Sequence, residues 1–296
     1  MSAGRRRMGA LVGALAAMAG ALVAFPRVGA DVLAKAPNFG KGPPPSVPGE
    51  FRVGVEGDTL SLSVAILEAP SPRGTVFVLH GIRDRKESMR GWGDSLVRAG
   101  FRAVLVDSRG HGRSTGDYLT YGVRESDDLV RVLDALPARG VTTGPVGALG
   151  FSYGAATALE WSGKDPRVRA VVAVAPFASL RDVVPGYLPF PVPKALVDDA
   201  VDRAGVLARF DPDDASPERG FARGHATALF LHGRDDTRIP PWHSRRIAHG
   251  AQDRATVVVL EGETHESIVR DVGGALGARV PSFFGDALVL TSDGRP

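Results

Sequence analysis

The segment Val146–Thr157, VGALGFSYGAAT, constrains this chain more than any other. A short apolar run precedes Gly150-Phe151-Ser152-Tyr153-Gly154, and small, helix-tolerant residues follow it. With the apolar run as a buried strand and the Ala-rich run as a helix, Ser152 occupies a very sharp turn. Such a turn lifts the hydroxyl out of the sheet. It also crowds the positions two before and two after, which accounts for Gly150 and Gly154. Strain at the serine holds its oxygen where a base and a substrate both reach it. An ordinary serine in a glycine-rich turn is the plainer alternative.

A nucleophilic serine needs a base and a group that orients the base. In a strand–elbow–helix architecture an acid and then a histidine follow, each at the end of a later strand. Ala226–Gly233 (ATALFLHG) has the character of a buried strand and leads into Arg234-Asp235-Asp236-Thr237-Arg238-Ile239-Pro240. Thr256–Leu260 (TVVVL) is a second such run, followed by Glu261-Gly262-Glu263-Thr264-His265. His265 is thereby assigned as general base, and one of Asp235 and Asp236 as its orienter. The backbone N–H of Tyr153 is one donor for a developing oxyanion.

These motifs resemble those of the α/β-hydrolases, closest in style to the small serine esterase and serine aminopeptidase-like members. The resemblance covers about Phe51 to Gly285. It implies an α/β-hydrolase fold, with a mostly parallel central sheet flanked by helices and a short lid insertion. The family's acid sits in a pattern H-G-x-x-D-x-x-V/I-P, which His232–Pro240 matches with Asp236 in the acid position. His80-Gly81-Ile82, after the strand-like Thr75–Leu79, resembles the family's oxyanion turn. That implies the Ile82 N–H as second donor, and for His80 a hydrogen bond to loop backbone. Asp107–Ser114 resembles the D-x-R-G-H-G-x-S loop, read as structural because it lacks a phosphate-cradling G-x-x-x-x-G-K-[ST] pattern. The implied reaction is hydrolysis of carboxylic esters on a small-molecule ester or short acyl substrate, with no cofactor. A peptidase or thioesterase on the same scaffold is the alternative. A non-catalytic, membrane-tethered binding protein is a third reading.

Periodicity predicts a hairpin of Phe51–Val55 and Leu60–Leu67 joined by Glu56–Asp58, and further strands at Arg102–Val106 and Arg169–Ala175. Helices are predicted over Ser88–Ala99, Val123–Ala138, Ala155–Gly163, Pro241–Gly250 and His265–Leu276. The insertion, about residues 177–224, is Pro-rich, with helical spacing over Lys194–Ala208. Tyr187, Leu188, Phe190 and Val192 are candidate lid residues facing the acyl pocket, or else they pack on the domain's own surface.

The net charge of +3 is matched by Arg5, Arg6 and Arg7, so the basic balance does not argue for nucleic acid. The absence of cysteine excludes disulfides and a thiolate nucleophile. Seven histidines show no metal-ligand spacing, and no metal is expected. Arg5–Arg7 precede the uncharged run Met8–Phe25, either a signal peptide cleaved after Ala30 or an anchor able to cross a bilayer. Residues 1–30 are thus a signal peptide or signal anchor, 31–50 a Pro/Gly-rich linker and 51–296 the hydrolase domain, expected outside the cytoplasm.

Overall fold

The computed structural model describes residues 24–41, 49–55, 60–272 and 274–288. Its strands are β1 (Glu50–Val55), β2 (Leu60–Leu67), β3 (Thr75–Leu79), β4 (Arg102–Val106), β5 (Val146–Phe151), β6 (Val168–Val174), β7 (Thr227–Gly233) and β8 (Ala255–Leu260). They form one sheet in the order β1-β2-β4-β3-β5-β6-β7-β8. The β1–β2 and β2–β4 pairs are antiparallel and the rest parallel. The tip of the β1–β2 hairpin, Glu56–Asp58, lies outside the described residues.

β3, β4 and β5 are buried along their whole length, as continuous apolar runs in the middle of a parallel sheet require. One face packs against α3 (Val123–Ala135), α4 (Tyr153–Lys164), α7 (Pro217–Arg223) and α8 (Trp242–His249), through residues such as Leu129, Leu159, Phe221 and Ile247. The opposite face packs against α2 (Arg90–Arg98), α9 (His265–Arg270) and α10 (Ala275–Ala287), through Trp92, Leu96, Ile268 and Phe284. The parallel register brings the C-terminal ends of β3, β5, β7 and β8 to one edge of the sheet. The loops after those strands carry every candidate catalytic residue.

Three segments depart from the sequence expectations. A helix over His265–Leu276 is instead two helices, α9 and α10. Asp271 breaks the run, and its carboxylate accepts the Leu276 N–H at 3.1 Å, which starts the second helix. The insertion is more helical than its prolines suggest, with α5 (Leu180–Val183) and α6 (Lys194–Ala208) before α7. α7 belongs to the scaffold and not to the lid. A Cβ on Gly163 of α4 would stand 1.9 Å from the Gly220 carbonyl of α7, so the two helices meet backbone to backbone.

The third departure concerns the expected linker. Residues 24–34 are helical (α1), and residues 35–41 continue as ordered turns. Ala30 and Ala34 pack on Ala204 and Ala208 of α6, and a Cβ on Gly29 would lie 3.0 Å from the Ala200 Cβ. The Tyr121 hydroxyl donates to the Leu33 carbonyl at 2.8 Å, and the Asn38 amide donates to the Gly112 and Ser114 carbonyls at 3.0 Å. Small residues on both helices allow this close approach, a complementarity invisible in composition. Residues 42–48, and nearly all of Met8–Phe25, lie outside the described residues. Among those described, no helix is long and apolar enough to cross a membrane.

A cut after Ala30 would fall inside α1. A chain beginning at Asp31 is therefore expected to lose on the order of 2 kcal/mol of stability through lost apolar burial. Thermal melts of the two chains, with amide exchange across α6, check this; unchanged exchange over 194–208 would contradict it.

Candidate active site

Ser152 links β5 to α4 with φ 51 and ψ −111, a conformation that costs an L-residue strain. The turn is held at both ends. The Ser152 N–H donates to the Val174 carbonyl at 2.8 Å, and the Ser152 carbonyl accepts the Ala156 N–H at 3.0 Å. A Cβ on Gly150 would stand 2.3 Å from the Gly154 carbonyl, and one on Gly154 would stand 2.5 Å from the carbonyls of Leu79 and His80. Only glycine fits at either place, as the sequence implied.

His265 opens α9 behind a reciprocal cap in which the Thr264 hydroxyl and N–H bond the Ser267 N–H and hydroxyl, at 3.2 and 2.9 Å. Its Nδ1–H donates to Asp236 Oδ2 at 2.6 Å, which leaves Nε2 to accept the Ser152 hydroxyl at 3.1 Å. Three residues from three loops thus form one hydrogen-bonded chain. Asp236 is only 3 % exposed, whereas Asp235 beside it is exposed, its N–H bonded to the Glu263 carbonyl. Burial and orientation together separate the two aspartates.

Asp236 Oδ1 accepts the N–H groups of Arg238 and Ile239 at 3.0 and 2.8 Å. Burial pushes this carboxyl up, but hydrogen bonds from His232, His265 and the Ile239 backbone outweigh it and hold it well below the usual carboxylate range. A depressed acid stabilises the fold above the ordinary carboxylate range and loses that contribution as pH falls through its folded value. His232 was not singled out from sequence. It is fully buried, with Nε2 on the Ile239 carbonyl at 2.6 Å and Nδ1 on the Ser244 hydroxyl at 2.7 Å, and it braces the acid-bearing loop.

The loop after β3 lies against the elbow, where a Cβ on Gly81 would be 4.0 Å from the Ser152 Cβ. Asp84 N–H to Gly81 carbonyl, 3.2 Å, closes a turn around half-buried Ile82. His80 is spent on loop backbone: Nδ1 bonds the Gly81 carbonyl at 2.7 Å and Nε2 accepts the Ser108 N–H at 3.0 Å. Tyr153 is the first residue of α4, so its N–H has no intrahelical carbonyl to meet. Its side chain is buried and donates to Glu125 Oε1 at 2.8 Å, pinning the start of α4 to α3. Nothing in the residues beside Tyr153 signals this brace.

The Asp107–Ser114 loop ties the strand ends together. Asp107 is fully buried and accepts from the Lys86 N–H at 2.7 Å, the Lys86 ammonium at 2.8 Å and the Arg113 N–H at 2.8 Å. Arg109 forms a buried two-pronged pair with Asp128, both bonds 2.8 Å. Among the described residues, Asp107→Ala leaves the buried Lys86 ammonium with Glu50 and Glu87, each at 3.2 Å. The expected cost is about 3 kcal/mol, seen as a lower denaturation midpoint at unchanged m-value.

The candidate lid residues separate. Tyr187 is 46 % exposed at the end of a single helical turn. Leu188 and Val192 are partly buried against a cluster containing Tyr121, Tyr153, Phe177 and Val184. Phe190 is 63 % exposed, contrary to a place in an acyl pocket; Pro189 and Pro191 on either side of it keep the backbone out of a helix that could turn it inward.

Comparison with known proteins bears on the family and the fold. A family model described as serine aminopeptidase, S33, one of the hydrolases, matches residues 70–214. An uncharacterized protein, YqkD of Bacillus subtilis (strain 168), is 26% identical over 200 residues, 64% of each chain. The match therefore spans just under two thirds of that relative's length. Among solved structures, the esterase Pf2001 of Pyrococcus furiosus superposes with a TM-score of 0.67 at 20% identity, over 81% of this chain and 92% of that one. Est1E of Butyrivibrio proteoclasticus, solved with ferulic acid bound, gives 0.63 at 15% identity, over 80% and 99%. At such identities the likeness is one of fold.

Proposed function

The chain is a member of the α/β-hydrolase superfamily, and from that premise we propose that it cleaves carboxylic esters through a Ser152–His265–Asp236 triad and an acyl-enzyme. The observation that carries this reading is the His265 imidazole bonded at once to the Ser152 hydroxyl (3.1 Å) and the Asp236 carboxylate (2.6 Å). As Ser152 Oγ bonds the acyl carbon, its proton passes to His265 Nε2, and the carbonyl electron pair moves onto oxygen. The N–H groups of Tyr153 and Ile82 are the donors assigned to that oxyanion. When the pair returns, the bond to the leaving group breaks, and Nε2 gives its proton to the departing oxygen. Water then repeats the sequence on the acyl-enzyme.

A small ester or short acyl group suits the site, because Leu188 and Val192 of the short lid pack down on the cluster of Tyr121, Tyr153 and Phe177. The S33 aminopeptidase description favours amide cleavage as the second reading. The N-terminal pattern of arginines followed by an apolar run supports an extracytoplasmic domain, tethered to the membrane or released from it.

Labelling with a fluorophosphonate, with Ser152→Ala as control, tests the nucleophile. Absence of Ser152-dependent labelling would leave a non-catalytic scaffold as the better account. A panel of short p-nitrophenyl esters, acyl thioesters and aminoacyl amides then separates the chemistries. Turnover of the amides alone would replace the esterase reading by the peptidase one.

A further inference from the structure

The small-residue seam of α1 fixes its register on the lid. Gly29 lies against Ala200, and Ala30 and Ala34 against Ala204 and Ala208, so α1 and α6 run in the same direction. Phe25, one turn before Gly29, is thereby set beside the start of α6, which follows the lid residues Leu188 and Val192. The other end of α1 is tied down by the loop before α3. The Leu119 N–H donates to the Ala34 carbonyl at 2.9 Å and the Tyr121 hydroxyl to the Leu33 carbonyl at 2.8 Å. Both are helix-terminal carbonyls that need a partner from outside the helix. Tyr121 stands at φ 55, a conformation kept only where the surroundings fix it. Its ring meets those of Tyr153 and Phe177 edge to face, with centroids 5.9 and 6.5 Å away. One buried cluster therefore joins α1 to the residue that follows the nucleophile.

Phe25 and Leu33 of α1 pack on that cluster as half-buried side chains, together with Ile82 from the turn after β3 and Leu188 and Val192 from the lid. Ile82 follows Gly81, where a Cβ would be 4.0 Å from the Ser152 Cβ, so this apolar surface adjoins the nucleophile. A leaving group must face His265, which returns its proton; the acyl chain takes another direction, and an apolar chain is stabilised over apolar surface. We propose that α1 forms one wall of the acyl-binding site, with Phe25 and Leu33 limiting the length of chain accepted, an assignment that rests on Ser152 being the nucleophile of an ester hydrolase. The end of the N-terminal apolar run is then part of the substrate site. A cut after Ala30 removes Phe25 and changes which esters the protein prefers, beyond its effect on stability.

The measured quantity is kcat/KM on p-nitrophenyl octanoate divided by that on the acetate, in the full chain. Phe25→Ala opens the wall and is expected to raise this ratio about 10-fold, and Leu33→Ala about 3-fold. Phe25→Trp narrows the wall and lowers the ratio. Val28→Ala, at a position 61 % exposed on the same helix, leaves it within about 2-fold. Loss of folded protein lowers both rates together and cancels in the ratio, so a purely structural role for α1 would not move it. A ratio unmoved by both Phe25 variants, or moved as far by Val28→Ala, overturns the proposal. Fluorophosphonate labelling of the unmutated protein keeps this distinct from the underlying reading. If Ser152 labels and the ratio stays fixed, the role of α1 fails; if Ser152 does not label, the nucleophile assignment fails and the acyl wall with it.

Discussion

Ser152→Ala is expected to lower kcat by about six orders of magnitude on whichever ester the protein turns over best, while leaving the fold intact. The substitution removes one oxygen, and with it the bond-forming atom. The imidazole at 3.1 Å and the carboxylate beyond it remain, but they have no hydroxyl to activate. Alanine keeps the Cβ, so the strain at φ 51 is the same in both proteins. The bonds that hold the turn, from the Ser152 N–H to Val174 and from Ala156 to the Ser152 carbonyl, are backbone only. Melting temperature should therefore stay within about 2 °C, since no buried group loses a partner it cannot do without. Groups that act as a unit are also non-additive. Ser152→Ala combined with His265→Ala should be no slower than Ser152→Ala alone, within about 3-fold. A double variant slower than either single one would mean that His265 acts on the substrate by a route independent of Ser152. Steady-state kinetics, with active-site titration to exclude traces of unmutated enzyme, measure all three proteins.

What was legible in the chain was local. The elbow announces itself because both glycines and the serine lie within five residues, and their clashes are with backbone of the same turn or of a strand next to it. His265 and the aspartate pair were legible because each follows an apolar run at a strand end. What stayed hidden needs two distant segments at once. Gly186 is required by the Arg238 carbonyl, and Gly163 by the Gly220 carbonyl; neither need shows in the residues beside it. Glu125 reads as a helix-surface carboxylate until Tyr153 arrives to donate to it. The same reason explains the N-terminal segment. Its prolines and glycines describe a spacer, while Ala30 and Ala34 acquire meaning only beside Ala204 and Ala208. The break between α9 and α10 was missed because the apolar period continues through Asp271, and a side-chain cap resets the helix there. Asp236 and Asp235 differ by burial, a tertiary property that motif position anticipated and composition did not.

Asp236→Asn is expected to reduce kcat/KM by about four orders of magnitude, and Asp235→Asn by no more than about 2-fold. The asymmetry follows from what each carboxylate touches. Asp236 Oδ1 is fixed by two backbone donors, Arg238 N–H at 3.0 Å and Ile239 N–H at 2.8 Å. An asparagine at this position must keep its carbonyl oxygen towards those donors, because the opposite flip would set its NH2 against two N–H groups. The NH2 then faces His265 Nδ1 and donates to it, where the carboxylate accepted. The imidazole is forced into the tautomer with its proton on Nε2, and it can no longer take the Ser152 proton. A negative charge that would stabilise the imidazolium is lost as well. Asp235 has no such contact; its side chain is exposed and its role in the loop is carried by its N–H. The two variants therefore share charge change and chain position but differ in the one bond that sets the tautomer. Rates of fluorophosphonate labelling, read alongside ester turnover, should fall in Asp236→Asn and hold in Asp235→Asn. Were Asp235→Asn the variant that collapsed, the hydrogen bond of 2.6 Å between Asp236 and His265 would not be the one that governs reactivity.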